Sequence, residues 1–474
     1  MRSVLVFVVS LIVALVGVTY YYGIKTQHSY ERLLAQLDSQ SGVRVKSHTF
    51  HRGILTSRAE TVLVLGGDGG GLEVVSEDVV VHGPLSLGNL VRGAWRLKPA
   101  QALITNRVRV RGPRSGGMAA VLFAKMPPLM MDSEITLAGG FVGRLEMEPA
   151  RHEMEGGGSA ARIEFSGMHG RVSVSPDMAR SSASLDLPSL EAKGKDGALR
   201  LKGFKLYFEQ GSAEAGKPLS TLKVILAEFA VSSAEPPSVS VRDVRFEAES
   251  GEREGKLYHL QNFHLGAVVV DGEVWGPAHY ELAVRNVDAR AWADLKARLR
   301  AAETGGEGAG GQRRAAALKV MELIPRFLAA SPEIEVSGLE IRTKSGDVRG
   351  SLRLWFKPPA AAPGGEGAAM APLGLLTAAN LDMSFSSPAV HVENVLERTV
   401  LEKIRNLRTG SGTPAVSDEE AHVVAREQVT AQLERLVEQG IIKLENDTYS
   451  VHVTYSDGVL KINGKERALP LGAM

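Results

Sequence analysis

Thr105-Asn106-Arg107-Val108-Arg109-Val110-Arg111 alternates arginine with valine. Successive side chains of a β-strand point to opposite faces, so this stretch has one buried face and one wet face. The same two-residue period recurs at 61–65, 72–81, 162–166, 171–175, 198–208, 222–229, 239–248 and 280–285. Gly, Ser, Asp and Pro separate these runs at short intervals. A strand-rich region therefore extends from about Val43 to Val287, with tight turns and a mostly antiparallel sheet.

Helical signals enter near Asp288, which can cap a helix carrying Trp292, Leu295 and Leu299 on one face. Residues 305–311 are a glycine-rich break. A second helix is expected over 313–330, with Pro325 either kinking it or marking a new first turn. Strands return at 333–342 and 350–356. The Pro/Ala/Gly stretch 358–372 has too few large apolar groups to pack and reads as a flexible linker. A strand at 381–385 and a helix at 390–407 follow. Ser417 and Glu420 form a capping box for a last helix. Its expected apolar stripe is Ala421, Val424, Ala425, Val429, Leu433, Leu436 and Val437, and Gly440 suits its end. Tyr449, Val451, Val453 and Tyr455 then alternate into Asp457-Gly458, a strong hairpin turn. The helix is expected to pack across that hairpin, around Val451 and Val453, because a lone hairpin is marginal in water.

The N-terminus is of another kind. Ser3 to Tyr22 reads SVLVFVVSLIVALVGVTYYY, without a charge. At roughly 1.5 Å per residue such a helix spans the roughly 30 Å core of a bilayer. Tyr20, Tyr21 and Tyr22 stand where an interfacial belt lies, with Lys25 beyond. There is no Ala-x-Ala cleavage pattern, so the segment reads as an uncleaved signal anchor rather than a removed signal peptide. A short helix follows, capped by Ser29, with Tyr30, Leu33, Leu34 and Leu37 on one face and Gly42 at its end.

Composition narrows the function. The formal charge is +1, from 55 basic and 54 acidic residues, so nucleic acid is not expected as a partner. No cysteine is present, which excludes disulfides, thiolate metal sites and cysteine catalysis. Gly211 to Pro218 nearly spells a phosphate-binding loop. Pro218 stands where Ser or Thr is needed and a strand follows, so it reads as a turn. Gly66 to Gly71 is a single glycine-rich turn, where calcium-binding repeats need tandem copies. His48 and His51 lie three apart in an extended segment, on opposite faces. His82 beside Gly83-Pro84 reads as a structural turn, and His259 and His264 as strand residues. Arg52 and Arg58 flank Gly53. A phosphate contact is one reading, and solvated or locally paired arginines the commoner one. No catalytic, cofactor-binding or metal-binding residues are assigned.

Several phrases resemble one family. They are Tyr30-Glu31-Arg32-Leu33-Leu34, Phe50 to Ala59, His82-Gly83-Pro84-Leu85, Val284 to Trp292 and Asp457 to Lys465. With the anchor, they resemble the YdgA-like bacterial envelope proteins, a family of unknown function. The resemblance implies an inner-membrane anchor with an exported body and brings no catalytic residues.

The expected architecture is α+β. A transmembrane signal anchor at 1–24 precedes a helix and strand-rich region at 25–287 and a helix-strand region at 288–357. The linker at 358–372 leads to a C-terminal α+β module at 373–474. The expected function is non-enzymatic. The protein would be a structural or assembly factor in the periplasm, held in the inner membrane by one helix and acting through protein contacts. The alternative is a lipid-handling module with an apolar groove on a curved sheet, similar in layout to AsmA-like envelope proteins.

Overall fold

A computed structural model describes residues 15–28, 30–31, 34–35, 43–65, 72–91, 93, 98–111, 125–156, 159–194, 197–211, 219–233, 238–270, 272–303, 324–358, 378–411 and 418–467. The fold is a large antiparallel sheet system with few helices. Two compact units divide the chain, one made of 1–214 with 220–244 and the other of 215–219 with 245–474.

The first unit opens with a helix at 15–28, α1. Its strands are β1 (Val43–Arg52), β2 (Thr56–Leu65), β3 (Leu72–His82), β4 (Ala102–Arg111), β5 (Leu129–Ile135), β6 (Phe141–Met147), β7 (Ala150–Gly156), β8 (Ser159–Phe165), β9 (Met168–Val174), β10 (Ser181–Gly194), β11 (Gly197–Gln210) and β12 (Ser220–Ser233). A single helical turn, α2 (Gly88–Val91), lies between β3 and β4. The strands pair in the order 1-2-3-4-5-6-9-10-11-12, and the β7–β8 hairpin pairs with the far half of β10.

Directly opposed residues on neighbouring strands share a face. One unbroken row of them runs Phe50, Ala59, Asp78, Asn106, Met131, Leu145, Gly170, Leu185, Leu206, Val224. The adjacent row, on the other face, includes Glu77, Arg107, Glu146, His169, Asp186 and Lys205. The alternation read in Arg107 to Arg111 is thus the local sign of a sheet-wide division. The charged face is laced by cross-strand pairs such as Lys205–Asp186 at 3.3 Å and Arg200–Glu191 at 3.3 Å.

The period breaks at one line. Apolar residues stand three apart at Leu187–Leu190, Leu201–Phe204 and Leu226–Phe229, on three neighbouring strands. Gly203 sits on that line with φ +61°, a left-handed conformation that glycine takes without a Cβ penalty. The pairing stays one to one across the line, so neighbouring strands reset their pleat together and the apolar set keeps its face.

The second unit repeats the two-faced design. Its strands are β14 (Lys256–Val270), β15 (Glu273–Trp275), β16 (Ala278–Asp288), β17 (Glu333–Thr343), β18 (Gly346–Phe356), β19 (Ala379–Pro388), β20 (Lys443–Glu445), β21 (Thr448–Ser456), β22 (Val459–Ile462) and β23 (Lys465–Arg467). β13 (Val239–Arg253) contributes to both units. A row runs Gln261, Leu282, Val336, Leu352, Met383, Val453, Ile462 on one face. Beside it Ala283, Glu335, Arg353, Asp382, Thr454 and Lys461 occupy the other.

Its helices are α3 (Ala289–Glu303), α4 (Ile324–Ala329), α5 (Ala389–Ser411) and α6 (Asp418–Glu438). Asp288 caps α3 as expected, its Oδ1 accepting from the Ala291 N–H at 2.7 Å. Of the helix expected over 313–330, residues 313–323 lie outside the described residues, and Pro325 is a residue of α4. In α6 the buried stripe is Ala421, Ala425, Val429 and Leu433, spaced by four. Val424, expected in it, is 50 % exposed.

That stripe packs mainly on α5, through Leu401, Val400, Leu396 and Val392, and reaches the sheet at Tyr449. The expected contact with Val451 and Val453 is replaced by this helix pair. The reason is that α5 supplies a matching apolar face directly before α6. Gly440 ends α6 with φ +66°, its N–H bonded to the Val437 carbonyl at 2.8 Å. Asp457-Gly458 forms the expected turn with both φ values positive. Asn446-Asp447 and Asn463-Gly464 form two more of the same kind.

Candidate functional site

Two features stand out in the first unit, and both lie on its inner face. The first is a buried polar cluster beneath α1. Tyr30 stacks on His48 with ring centroids 5.4 Å apart and tilts against Phe50 at 5.8 Å. Its hydroxyl donates to Asp78 Oδ2 and lies 3.0 Å from Thr61 Oγ1. Asp78 is 3 % exposed. Its Oδ1 accepts from Ser76 at 2.5 Å and from Asn106 Nδ2 at 2.6 Å. Burial, and after it the hydrogen bond to Asp78, hold the Tyr30 phenol well above the ordinary tyrosine range.

At the end of β3 the His82 ring is fully buried. Its Nδ1 lies 3.1 Å from the Ile54 carbonyl, which can only accept, so the proton sits on Nδ1. Nε2 then accepts from Ser57 Oγ at 2.8 Å. The His82 backbone N–H bonds the Leu55 carbonyl at 2.9 Å. One residue thus pins the β1–β2 turn three times. Burial pushes His82 below its ordinary value, the Arg52 charge adds to this, and the Ile54 hydrogen bond opposes it. Gly23 of α1 rests on the ring: a Cβ there would stand 2.5 Å from Cε1. Thr19 and Thr26, on the same side of α1, are also buried, while Tyr20 and Tyr21 are exposed.

Ser57 and His82 have the spacing of a nucleophile and its base. The ring also has the tautomer of such a base, but both residues are closed off from solvent, at 1 % and 0 %. The pair ties β2 to β3.

The second feature is the rest of the inner face. Beyond α1 the apolar row continues through Met131, Leu145, Leu185, Leu206 and Val224, all half-buried. A sheet sealed by a second layer would bury these residues fully. Among the described residues no helix covers them. On the charged face, a recess of about 400 Å³ is lined by Lys98, Asp132, Glu134 and Arg144. Lys98 is paired with Glu134, and Thr105 donates to Asp132 at 3.0 Å.

The sequence candidates fall as follows. His48 and His51 lie on β1 with opposite exposure, His48 being half-buried under Tyr30. Arg52 is locally paired, with the Tyr20 hydroxyl at 3.1 Å, the Tyr20 ring at 5.1 Å and Gln27 at 3.3 Å. Arg58 is exposed on β2. His259 and His264 are strand residues of β14, and Ser250 lies 2.8 Å from His259 Nδ1. The segments 66–71, 212–218, 305–311, 359–372 and the residues Ser29 and Ser417 lie outside the described residues, as do 1–14 of the expected anchor. Among the described residues no helix is long and apolar enough to cross a membrane, and no three His, Asp or Glu side chains are grouped to hold a metal ion.

The phrases that carried the family resemblance at the N-terminus converge here. Tyr30, Phe50 to Ala59 and His82-Gly83-Pro84 come together around α1. Sequence reasoning placed His82 in a turn but missed its burial and the Asp78–Asn106 network, whose members lie far apart in the chain. No curated protein and no solved structure matches the chain. The family model described as "Bacterial protein of unknown function (DUF945)" matches residues 1–470, and the chain belongs to that family.

Proposed function

We propose that this is a lipid-handling protein of the bacterial envelope. An N-terminal helix anchors it in the inner membrane, and the sheet carries acyl chains on its apolar face in the periplasm. The observation that carries this reading is the long row of opposed, half-buried apolar residues that begins beside α1 and continues to Val224. Burying apolar surface contributes roughly 25 cal/mol per Å², so acyl chains laid along such a face are held without a polar pocket. The charged opposite face keeps the same sheet wettable on its other side. The apolar run 3–22 takes in residues 15–22 of α1, and under this reading α1 sets the start of the face next to the bilayer.

This reading is non-catalytic and takes the lipid-groove alternative above the assembly-factor one. A protein-assembly role would suit a sealed core with a separate exposed patch. The test is organic extraction of the detergent-purified full chain followed by mass spectrometry. Co-purifying phospholipid or other acylated lipid, in excess of a one-helix membrane protein purified alongside, is the expected result. Lipid at the control level, with a protein partner retained instead, would return the assembly reading.

A further inference from the structure

The paired strands of the first unit end in register. Ala102, Ile135, Phe141, Val174 and Ser181 are successive opposed residues, with His82 opposite Ala102 and Val81 opposite Thr56. The β1–β2, β3–β4 and β5–β6 connections therefore leave from one end of the sheet.

Three large apolar side chains project from these connections. Ile54 is 57 %, Leu85 38 % and Leu137 47 % exposed. None sits on a loose tip. The Ile54 carbonyl is held by His82 Nδ1 at 3.1 Å. Pro84, before Leu85, accepts from the Ala100 N–H at 3.0 Å. The Leu137 carbonyl accepts from Gln101 Nε2 at 2.9 Å. Exposed leucine and isoleucine on pinned turns cost solvation without gaining flexibility, and three of them at one end of a sheet suit an interaction surface.

The direction of α1 identifies what they meet. Tyr30 lies over the sheet interior at Asp78, Gly23 over His82 at the strand end, and Tyr20 beside Arg52 at the last residue of β1. Going back along the chain, α1 thus runs off the same end that bears Ile54, Leu85 and Leu137. The apolar run 3–22 includes the first eight residues of α1. We infer that this end of the sheet rests on the bilayer, with Ile54, Leu85 and Leu137 seated among the acyl chains at the interface. The inner apolar face would then open onto the membrane directly. Met178, 81 % exposed in the β9–β10 turn, lies further along the same end. Strands rotate by roughly 20–25° from one to the next, which turns that tip away from the plane set by the first three.

This inference rests on the anchor in the proposed function, and its test separates the two. The chain has no cysteine, so single cysteines can be labelled cleanly. Ile54→Cys, Leu137→Cys and, from the opposite end of the sheet, Glu148→Cys are each made in the full chain. Each is labelled with an environment-sensitive fluorophore and reconstituted into phosphatidylethanolamine–phosphatidylglycerol vesicles, some carrying a brominated-acyl quencher. Blue-shifted emission and at least twofold quenching are expected at 54 and 137, with water-like emission at 148. Protein that floats with vesicles while 54 and 137 stay water-like overturns the bilayer contact and leaves the anchor standing. Protein that fails to float overturns both.

Discussion

Gly23 lies against the ring of His82, so close that a Cβ at position 23 would stand 2.5 Å from Cε1. The contact ties the helix that leaves the apolar N-terminal run to the residue that pins the first turn of the sheet. His82 cannot yield easily, because both ring nitrogens are already bonded.

Gly23→Leu should therefore lift α1 from the sheet. Forced overpacking of this kind costs about 1–3 kcal/mol. Gly17 is the control, since nothing lies within 4 Å of its would-be Cβ. Gly17→Ala should be neutral or gain up to about 1 kcal/mol from helix propensity. Thermal melts of the detergent-solubilised full chain measure both. Equal effects at 17 and 23 would refute the docking.

Tyr30 should be the last of the tyrosines to ionise. Its folded pKa is raised, so its contribution to stability is present below about pH 10, the unfolded value, and is lost as pH rises through the higher folded value. The Tyr30→Phe difference in a spectrophotometric titration isolates this phenol. In Asp78→Asn its ionisation should move back toward the ordinary range in part only, since burial is the larger cause. An ordinary Tyr30 titration in the unsubstituted chain would contradict the buried network.

His82 works in the opposite sense. Its folded pKa is lowered, so the stability it contributes is complete above about pH 6.5 and is lost as pH falls through the folded value. Melting temperature should drop between pH 7 and pH 5 by more in the unsubstituted chain than in His82→Gln, which is less stable throughout but lacks this titration. Parallel pH profiles would show that His82 is not buried in its neutral form.

In α6, Leu433 is 3 % exposed among Val429, Tyr449 and α5, and Leu433→Ala should cost about 2–5 kcal/mol. Exposed Glu434→Ala should cost under about 0.5 kcal/mol. Val392→Ala, on the facing helix, should weaken the same denaturant transition, whereas Val451→Ala should spare it. The reverse order would restore the hairpin as the partner of α6.

What could be read from the chain depended on how local the physics is. Thr105 to Arg111 announced their strand because two faces alternate within seven residues. β10 escaped notice because Pro188 interrupts it, and that proline lies on the line where Gly203 resets the pleat. β1 was hidden because its inward residues His48 and Phe50 serve Tyr30 rather than a uniform apolar core. Asp457-Gly458 was legible as a turn, and Asn463-Gly464 carried the same signal unread. The stripe of α6 was legible, but its partner was not, since α5 and the hairpin offered competing apolar faces. His82 shows the limit most clearly. Its neighbours Gly83 and Pro84 point to a turn, while its burial depends on Ser57, Ile54 and Gly23.

Under the proposed function one face of the sheet carries lipid and the other does not. Phe208 and Tyr207 are consecutive in β11 and point to opposite faces, Phe208 opposite Ala183 and Tyr207 opposite Lys223. A photo-crosslinking amino acid placed at each position in turn, in cells, with adducts identified by mass spectrometry, compares the faces directly. The expected result is lipid adducts at 208 and none above background at 207. Lipid adducts at neither position, or equally at both, would contradict the account.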